Sequence, residues 1–466
     1  MSLPDIVQQA SPDVVQQASP DVVQQASPDV VQQASPDVVI IGAGIIGCAT
    51  AFELSKKGYK TLNIDKLDQA GSGSTSNSCA VVRASYSTFD GITMAHECFQ
   101  YWKDWENYLG VKDERGYARF VNDGTVMMRS PDARYERMIG LFDQVGIGYE
   151  LWTADEVRNK LPFLSAKSHY PPLRIDDPAF WDEPTKDIVG GLYIHDGGYV
   201  TDPQLATHNL MVAAQAHGAQ FIFGTAVSDI RQAAGRVQGV TLENGREIDA
   251  PIVINIAGPH SFIINRLAGV EDDMNIKTRP LRHEVHFVPN PPDLQIGDYF
   301  SHYSDDDAGV YFRPETGNAI LVGSKDPACD EREWIEDPDD YNREVSVDQW
   351  KNQVYRFSKR LPALRIPNQP RGIVDLYDVA DDWIPIYDKS SLSGFYMAVG
   401  TSGNQFKTAP PVGYMLTQLV DAVENGYDHD ADPLKYTAVY TQRTIDVGFY
   451  SRLREINQES SFTVNG

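Results

Sequence analysis

The sequence has few cysteines and no long apolar run. Its 466 residues include only Cys48, Cys79, Cys98 and Cys329, with no CxxC spacing. No apolar run reaches the length of about 18 residues that a membrane-spanning helix needs. The first residues lack the basic stretch and continuous apolar core of a secretory leader. These absences argue against a disulfide scaffold, a metal site or a membrane span, and they predict a cytoplasmic protein.

Basic residues are also scarce. The chain has 40 lysines and arginines against 65 acidic residues, which gives a formal net charge of −25. A surface with this charge repels nucleic acids and anionic membranes, because binding to phosphates needs clustered lysines and arginines. We therefore expect a small-molecule partner and neither a nucleic acid nor a membrane.

An octapeptide fills the first 35 residues. It begins as LPDIVQQA (3–10), recurs three times as SPDVVQQA, and its fifth copy runs on into SPDVVIIGAG. A proline in every unit disfavours a continuous helix, and eight residues are too few for a stacked solenoid unit. The array is interpreted as a tandem duplication of the leading edge of the first strand. A role as an interaction or scaffolding segment is the alternative.

A dinucleotide-binding pattern follows the repeat. Residues 37–41 are typical of a buried parallel strand, 45–57 of a helix and 60–64 of the next strand. The motif GAGIIG (42–47) joins the first strand to the helix, and Asp65 ends the second strand. Glycines permit a tight turn and close approach to a pyrophosphate, while an acid at this distance can accept hydrogen bonds from ribose hydroxyls. An acid at position 65 favours FAD or NAD over NADP.

Further elements are predicted from patterns along the chain. A helix is expected at 202–217, a hairpin at 236–255 around Asn244-Gly245, a buried strand at 395–399 and a helix at 411–425. Strands at 281–288 and 310–322 are also expected, the latter with a turn at 315–318. His283 and His286 fall on opposite faces of one strand, which makes a metal pair unexpected there.

Four blocks distinguish FAD from NAD. They are DVVIIGAGIIGCATAFELSKKGYKTLNIDK (37–66), GSTSNSCAVVR (73–83), GGLYIHDGGYVTDPQL (190–205) leading to VINIAGPHS (253–261), and YMAVGTSGNQFKTAPPVG (396–413). Together they resemble the D-amino-acid oxidase superfamily of FAD-dependent oxidoreductases, in its branch of enzymes similar to sarcosine oxidase and glycine oxidase. The resemblance extends from about residue 36 to about residue 420.

The resemblance implies an α/β fold. A Rossmann-like FAD-binding domain would be assembled from 36–93, 190–270 and 371–430, after the repeat at 1–35. An α+β substrate domain with a large antiparallel sheet would comprise 94–189 and 271–370, and a helical tail would follow at 431–466.

The resemblance also implies which residues contact FAD. The glycine-rich turn, the early Gly-Ser-Thr block, the middle segment and the loop after the last strand would all contribute. The expected cofactor residues are Gly42, Gly44, Ile45, Ile46, Gly47, Asp65, Lys66, Ser74, Thr75, Val227, Ala257, Gly258, Gly400, Ser402, Gly403, Asn404, Gln405 and Lys407.

Arg83 and Lys407 occupy positions where relatives bind the substrate carboxylate. They would form a two-cation clamp, with Tyr86 as a pocket wall and Arg313 as a further substrate contact. Arg83, Lys407 and Tyr86 are therefore the expected catalytic residues. The expected reaction is oxidation of an amino acid or N-alkyl amino acid to an imine, which then hydrolyses. His302, Tyr303 and Tyr311 are further pocket candidates.

Some positions depart from the family. Relatives with covalent FAD carry the linkage near the positions of Asp375 and Asn77, so FAD is expected to bind non-covalently here. Leu321 stands where relatives carry an oxygen-activating lysine, with Lys325 four residues later. The electron acceptor is therefore left open between oxygen and another carrier, and the substrate's identity, its chirality and the oligomeric state are also open. A 2-hydroxy-acid or glycerol-phosphate dehydrogenase is the alternative enzyme, although it would need a base that the sequence does not reveal.

Overall fold

The computed structural model of the protein describes residues 35–131 and 134–465. The octapeptide array lies outside these ranges apart from Ser35, so its interpretation as a duplicated strand edge or an interaction segment stays a prediction.

Strands and helices alternate through most of the described chain. The strands are β1 (Val38–Ile41), β2 (Thr61–Ile64), β3 (Val81–Val82), β4 (Phe120–Val121), β5 (Thr125–Arg129), β6 (Tyr149–Trp152), β7 (Gly190–Ile194), β8 (Gly198–Val200), β9 (Gln220–Ile222), β10 (Val227–Ala233), β11 (Arg236–Leu242), β12 (Glu247–Asp249), β13 (Ile252–Asn255), β14 (Thr278–Pro289), β15 (His302–Asp305), β16 (Val310–Glu315), β17 (Ala319–Ser324), β18 (Glu333–Trp334), β19 (Gly372–Ala380), β20 (Ile386–Lys389), β21 (Phe395–Val399), β22 (Lys435–Thr437) and β23 (Thr444–Asp446). The helices are α1 (Ile45–Lys57), α2 (Phe89–Lys103), α3 (Trp105–Leu109), α4 (Arg134–Val145), α5 (Ala154–Lys160), α6 (Pro203–Ala216), α7 (Ser261–Ala268), α8 (Val347–Arg360) and α9 (Ala409–Glu424).

Six strands form a mostly parallel sheet in the order β20-β21-β13-β1-β2-β9. Every neighbouring pair is parallel except β20 and β21. All residues of β1, β2, β13 and β21 are buried, as expected for parallel strands covered on both faces. Apolar side chains from α1, α6 and α9 form one core with this sheet. This is the predicted Rossmann-like arrangement.

The turn between β1 and α1 depends on two glycines. A Cβ atom on Gly42 would lie 2.2 Å from the carbonyl oxygen of Ile256, and its φ of +118° is in the region that favours glycine. A Cβ atom on Gly47 would lie 2.3 Å from the carbonyl oxygen of Gly42. The helix can therefore begin directly against the end of β1 only because both side chains are absent.

Nine strands form the second sheet. Its order is β18-β14-β17-β16-β15-β5-β7-β6, and β19 also pairs with β14. The pairs are antiparallel except β15 with β5. Helices α5 and α8 contribute to the core on one face of this sheet. The large antiparallel sheet expected from the sequence is therefore present.

The two sheets do not follow the predicted domain ranges strictly. Strands β7 and β19 lie in segments that were assigned to the FAD-binding domain, yet both pair within the nine-stranded sheet. The chain thus changes sheets inside the predicted segments 190–270 and 371–430.

The predicted hairpin at 236–255 is wrong in its second half. Strand β11 pairs with β12, whereas β13 leaves the hairpin and joins the parallel sheet beside β1. Pro251 precedes β13 and has no amide hydrogen to continue a ladder. The four residues after it are all buried, which suits a central parallel strand.

The helical tail predicted over 431–466 also differs from the structure. Within 431–465 the chain forms the antiparallel pair β22 and β23 and a 3-10 turn at Val447–Tyr450, and it contains no α-helix. Only the middle residue of each strand, Tyr436 and Ile445, is buried. This alternation is the period of a half-buried strand.

No helix within the described ranges is long and apolar enough to cross a membrane.

The close contact beneath Gly47 predicts a strong effect of a small substitution. Gly47→Ala should lower the free energy of unfolding by roughly 2–3 kcal/mol, because the added methyl group overlaps the Gly42 carbonyl. Chemical denaturation measures this directly. Gly140→Ala in α4 is the matched control, since a Cβ atom there meets nothing within 4 Å. It should leave stability unchanged or raise it by about 0.5–1 kcal/mol. Equal effects of the two substitutions would contradict the packing argument.

Candidate active site

A cavity of about 580 Å³ is lined by residues from both sheets. The ends of β1 and β2 contribute Gly42 and Asp65, and the nine-stranded sheet contributes His302 and Tyr311. Ligands in open α/β sheets bind beyond the carboxyl ends of the parallel strands, and the cavity begins at that place. We take this cavity as the candidate active site.

The first turn of α1 faces one end of the cavity. The N-cap residue Gly44 has no side chain to cap this helix, and its first turn contains no acidic residue. The amide of Ile45 donates to the hydroxyl of Thr75 at 3.2 Å. Gly44 has no side chain, and a Cβ atom there would lie 3.2 Å from the same hydroxyl. A glycine-lined helix N-terminus without acidic residues in its first turn suits the pyrophosphate of a dinucleotide.

Asp65 lies beside this helix end, after β2. Its carboxylate accepts hydrogen bonds from the amides of Ala43 at 2.7 Å and Leu67 at 2.9 Å. Burial raises the pKa of this carboxyl, while the two amide donors and the nearby Lys66 lower it. Asp65 therefore ties the end of β2 to the glycine-rich turn and keeps lone pairs for a ligand hydroxyl.

The early block at 73–79 contacts strand β19. The hydroxyl of Ser74 donates to Asp375 Oδ1 at 2.9 Å, and Asn77 Nδ2 donates to Asp375 Oδ2 at 2.6 Å. Asn77 and Asp375 are the positions near which relatives with covalent FAD are expected to carry the linkage. In this protein the two side chains are hydrogen-bonded to each other, and neither is a cysteine or a histidine.

Cys79 also lines the cavity. Its Sγ lies 3.1 Å from the hydroxyl of Tyr311, and burial raises the pKa of its thiol. A thiol held protonated in this way is a poor nucleophile.

The loop after β21 is tied to β19 through Asp378. The Asp378 carboxylate accepts from the amide of Gly400 at 2.6 Å, and its main-chain carbonyl accepts from the amide of Ser402 at 2.6 Å. The Ser402 hydroxyl in turn accepts from the amide of Ala380 at 3.2 Å. Asp378 is 2% exposed and lines the cavity, and burial raises its pKa to about 7. These bonds join the parallel sheet to the nine-stranded sheet.

Arg83 and Lys407 lie close together at the other end of the cavity. Arg83 Cζ is 5.0 Å and Lys407 Nζ is 4.7 Å from the centre of the Tyr86 ring. Arg83 is 8% exposed and Lys407 is 2% exposed. Both line the cavity, whereas Tyr86 lies against both cations and is not among the lining residues.

Neither cation forms an ion pair with a carboxylate in the described part of the chain. Arg83 Nη1 donates to the carbonyl of Ser85 and its Nη2 to the carbonyl of Val464, while Lys407 Nζ donates to the carbonyl of Asn404 at 2.6 Å. Burial lowers the pKa of both groups, and the charge of Arg83 lowers that of Lys407 further. The site thus concentrates positive charge that its own side chains do not neutralise.

His302 lines the same cavity from β15. It is 2% exposed, and its Nδ1 has no hydrogen-bond partner among the described residues. Burial, together with the charges of Arg83, Lys325, Arg313 and Lys407, lowers the pKa of this imidazole well below its ordinary value. The ring is therefore neutral at physiological pH and can accept a hydrogen bond.

Most residues expected to contact FAD or substrate line this cavity. They are Gly42, Gly44, Ile45, Ile46, Asp65, Lys66, Ser74, Thr75, Arg83, Val227, Ala257, Gly258, Gly403, Asn404, Gln405 and Lys407. Gly47, Gly400 and Ser402 lie behind its surface, where Gly47 permits helix packing and the other two bond to Asp378.

Arg313 does not line the cavity. Its guanidinium forms an ion pair with Glu315 at 2.8 Å and donates to the carbonyl of Cys79 at 2.9 Å. The structure therefore assigns it a structural contact instead of the expected substrate contact. Leu321 is buried in an apolar cluster, while Lys325 lines the cavity and pairs with Asp306 at 2.7 Å.

Sequence reasoning missed Asp378, Val464 and Asn465 as cavity residues. Asp378 lies in β19. The signal that could have identified it is an acidic residue among the apolar residues of that strand. Val464 and Asn465 belong to no sequence motif. Only the folded chain brings them beside Arg83, so the sequence does not indicate that they line the cavity.

The comparisons with known proteins agree with this arrangement. Residues 37–419 match the family described as FAD dependent oxidoreductase. The chain is similar to mitochondrial sarcosine dehydrogenase of Mus musculus, with 27% identity over 61% of this chain and 28% of that protein. It is also similar to sarcosine oxidase subunit beta of Rhodobacter capsulatus, with 23% identity over 82% of this chain and 84% of that one. The chain thus spans 28% of the length of the sarcosine dehydrogenase.

Among solved structures, the fold resembles L-proline dehydrogenase from P. horikoshii. The TM-score is 0.69 at 22% identity, with 90% of this chain and 97% of that chain covered. This likeness confirms the fold predicted from the sequence. The match over 37–419 shows that the chain belongs to the DAO family of FAD-dependent oxidoreductases.

Asp378 predicts how stability depends on pH. Because its folded pKa is raised to about 7, the folded protein binds a proton that the unfolded chain releases near pH 4. Wild-type stability should therefore fall as the pH rises from about 4 to 7. Asp378→Asn keeps an acceptor for Gly400 and removes this titration. Its melting temperature relative to wild type should rise between pH 5 and pH 8.

The control is Asp428→Asn at an exposed position. Its melting temperature relative to wild type should stay constant across the same range. A constant difference for Asp378→Asn as well would show that Asp378 does not carry a raised pKa.

Proposed function

We propose that this protein oxidises a carboxylate-bearing amine, an amino acid or N-alkyl amino acid, with non-covalently bound FAD as the oxidant. The observation that supports this most directly is the pair Arg83 and Lys407, two buried cations in one cavity without a carboxylate partner in the described chain. Buried charges are normally paired, so a ligand with a negative charge would complete the site.

The residues present fit FAD along the other part of the cavity. The glycine-lined start of α1 would hold the pyrophosphate, Asp65 would accept from ribose hydroxyls, and the backbone near Val227 would border the adenine. Gly403 and Gln405 line the cavity where the isoalloxazine ring is expected. When bound, FAD accepts the hydride removed from the substrate carbon.

The hydrogen bond between Asn77 and Asp375 supports the proposal that FAD is not covalently linked to the protein. Neither side chain is a cysteine or histidine, and Cys79 is held protonated. Denaturation should therefore release FAD into the supernatant.

The clamp would fix the orientation of the substrate. A guanidinium and an ammonium group on one carboxylate restrict both its position and its rotation, which holds the adjacent carbon–hydrogen bond at a defined distance from the oxidant. A carboxylate between them would also favour the charged form of Lys407, because it offsets the burial and repulsion that lower its pKa. Oxidation would give an imine, which water hydrolyses.

A 2-hydroxy acid is the second candidate, and His302 is the observation that favours it. Removal of a hydroxyl proton needs a base, and this imidazole lies in the same cavity as the clamp. Its lowered pKa makes it a weak base, which counts against this candidate. The amine stays the first proposal because the similar proteins are described as acting on sarcosine or proline, which are amines with a carboxylate.

Anaerobic bleaching of the flavin absorbance separates the two candidates. The panel should contain primary amino acids, N-methyl amino acids, 2-hydroxy acids and glycerol 3-phosphate. We expect amines with a carboxylate to reduce the flavin. Bleaching by hydroxy acids alone would overturn the amine proposal, and re-oxidation in air would then distinguish an oxidase from a dehydrogenase.

Removing either cation should weaken the binding of carboxylates. Arg83→Ala and Lys407→Met should each raise the dissociation constant of a simple carboxylate by roughly 10- to 100-fold, because a charge-assisted bond is lost. Titration of the flavin spectrum measures this, and retention of FAD shows that the fold is intact. Lys57→Met, which removes a surface lysine paired with Asp421, is the control and should bind as wild type does.

The clamp also predicts a dependence on pH. The free Lys407 ammonium has a lowered pKa and loses its proton as the pH rises, so wild-type affinity should fall at high pH. Lys407→Met should lack this decrease. Unchanged affinity for the carboxylate in both Arg83→Ala and Lys407→Met would remove the support for the clamp.

A further inference from the structure

One segment outside all the family motifs closes the cavity beside Arg83. Within residues 459–465, Val464 packs in a cluster with Leu281 of β14 and Val379 of β19, and Val464 and Asn465 line the cavity together with the two cations. The inference below rests on the proposed function, because it concerns which groups of the same substrate the segment recognises.

Val464 contacts Arg83 directly. Its main-chain carbonyl accepts a hydrogen bond from Arg83 Nη2, while the carbonyl of Ser85 accepts from Nη1. A guanidinium has five N–H donors, so these bonds fix its plane and leave donors for a carboxylate. The segment therefore holds Arg83 in place without consuming its binding capacity.

Asn465 is one of the residues that line the cavity. Its main-chain carbonyl accepts from the amide of Ser87 at 3.1 Å, which anchors the residue next to the 83–86 stretch. Its side-chain Oδ1 is buried and has no hydrogen-bond partner among the described residues. A buried acceptor without a donor is costly, and a ligand N–H in the cavity would satisfy it.

The segment is held by contacts that do not involve the cavity. Arg332 Nη2 donates to the carbonyl of Phe462 at 2.7 Å, and its guanidinium lies 4.8 Å from the ring centre of Trp383. Val464 is buried in an apolar cluster with Leu281 and Trp383, and Phe462 packs against that cluster. These anchors make the segment a wall of the site with a defined position.

We propose that residues 459–465 form the substrate-facing wall of the active site, in which Val464 positions Arg83 and the Asn465 carboxamide accepts a hydrogen bond from the substrate nitrogen. The carboxylate and the nitrogen of an amino acid are separated by one carbon. A single short ligand can therefore reach both the Arg83 guanidinium and a neighbouring acceptor. A carboxylate without a donor at that position would leave the Asn465 oxygen unsatisfied, so this residue selects ligands with an N–H group.

The test compares two ligands of the same shape. N-methylglycine carries the nitrogen, and butanoate has a methylene group in its place. Dissociation constants come from flavin spectral titration under anaerobic conditions, where reduction by N-methylglycine is followed as well. Asn465→Ala should weaken N-methylglycine binding roughly tenfold and change butanoate binding less than twofold. Equal changes for both ligands, or none, would overturn the role of Asn465.

Gln458→Ala is the matched carboxamide control. Gln458 is exposed and does not line the cavity, so both dissociation constants should stay at the wild-type values.

A stop codon at Glu459 tests the wall as a whole by removing residues 459–466. Arg83 would lose one of its fixed partners, so butanoate should also bind at least roughly tenfold more weakly, while FAD stays bound. Unchanged or tighter binding of butanoate would overturn the positioning role. Failure of both ligands to bind wild type would instead count against the Arg83 and Lys407 clamp and hence against the proposed function. If the truncated chain loses FAD, Arg332→Ala serves in its place, since it releases only the anchor at Phe462.

Discussion

The site depends on the hydrogen bonds through which Asp378 joins strand β19 to the loop after β21. Strand β19 belongs to the nine-stranded sheet, and β21 belongs to the parallel sheet. The start of α1 and Asp65 lie on the parallel sheet, whereas His302 lies on the other. A cofactor and a substrate can meet at a fixed distance only if the two sheets keep one relative position. The buried carboxyl of Asp378 is the polar link at that junction, and an acid is retained there although burial raises its pKa to about 7.

The fold was predictable where its causes are local. The strand β1, the helix α1 and the strand β2 follow from an apolar run, a glycine turn and helical spacing, and α1 begins and ends at the predicted residues. The prediction of a hairpin at 236–255 was wrong in its second half. Strand β13 joins the parallel sheet, which leaves β12 as the hairpin partner of β11. The predicted tail failed for a related reason: its two strands pair with each other, and Tyr436 and Ile445 pack into the core shared with the parallel sheet. Sequence patterns indicate the periodicity of an element, but the tertiary structure determines which strands pair with each other.

The same division applies to the candidate site. The glycine turn, Asp65 and the loop with Gly403 and Gln405 are motif residues, and the folded chain brings them to one cavity. Arg313 carries the same charge as Arg83, yet Glu315 lies two residues away and pairs with it. What distinguishes the two arginines is the absence of an acidic partner around Arg83 in the described chain, and this is a property of packing. Asn465 was hidden for the same reason, since nothing in its neighbouring residues marks it as a cavity group, whereas His302 was among the predicted pocket candidates and does line the cavity.

The excess of acidic residues makes the lack of a carboxylate partner for Arg83 and Lys407 significant. With a net charge of −25, the chain has more than enough carboxylates to neutralise any buried cation. Many buried arginines are neutralised in this way: Arg360, for example, pairs with Asp305 at 2.5 Å and with Asp307 at 3.0 Å. Arg83 and Lys407 are instead surrounded by carbonyls and by the Tyr86 ring, which satisfy donors without supplying a negative charge. The folded protein therefore pays a desolvation cost that an anion from outside could offset, and this is the physical basis of the proposed carboxylate site.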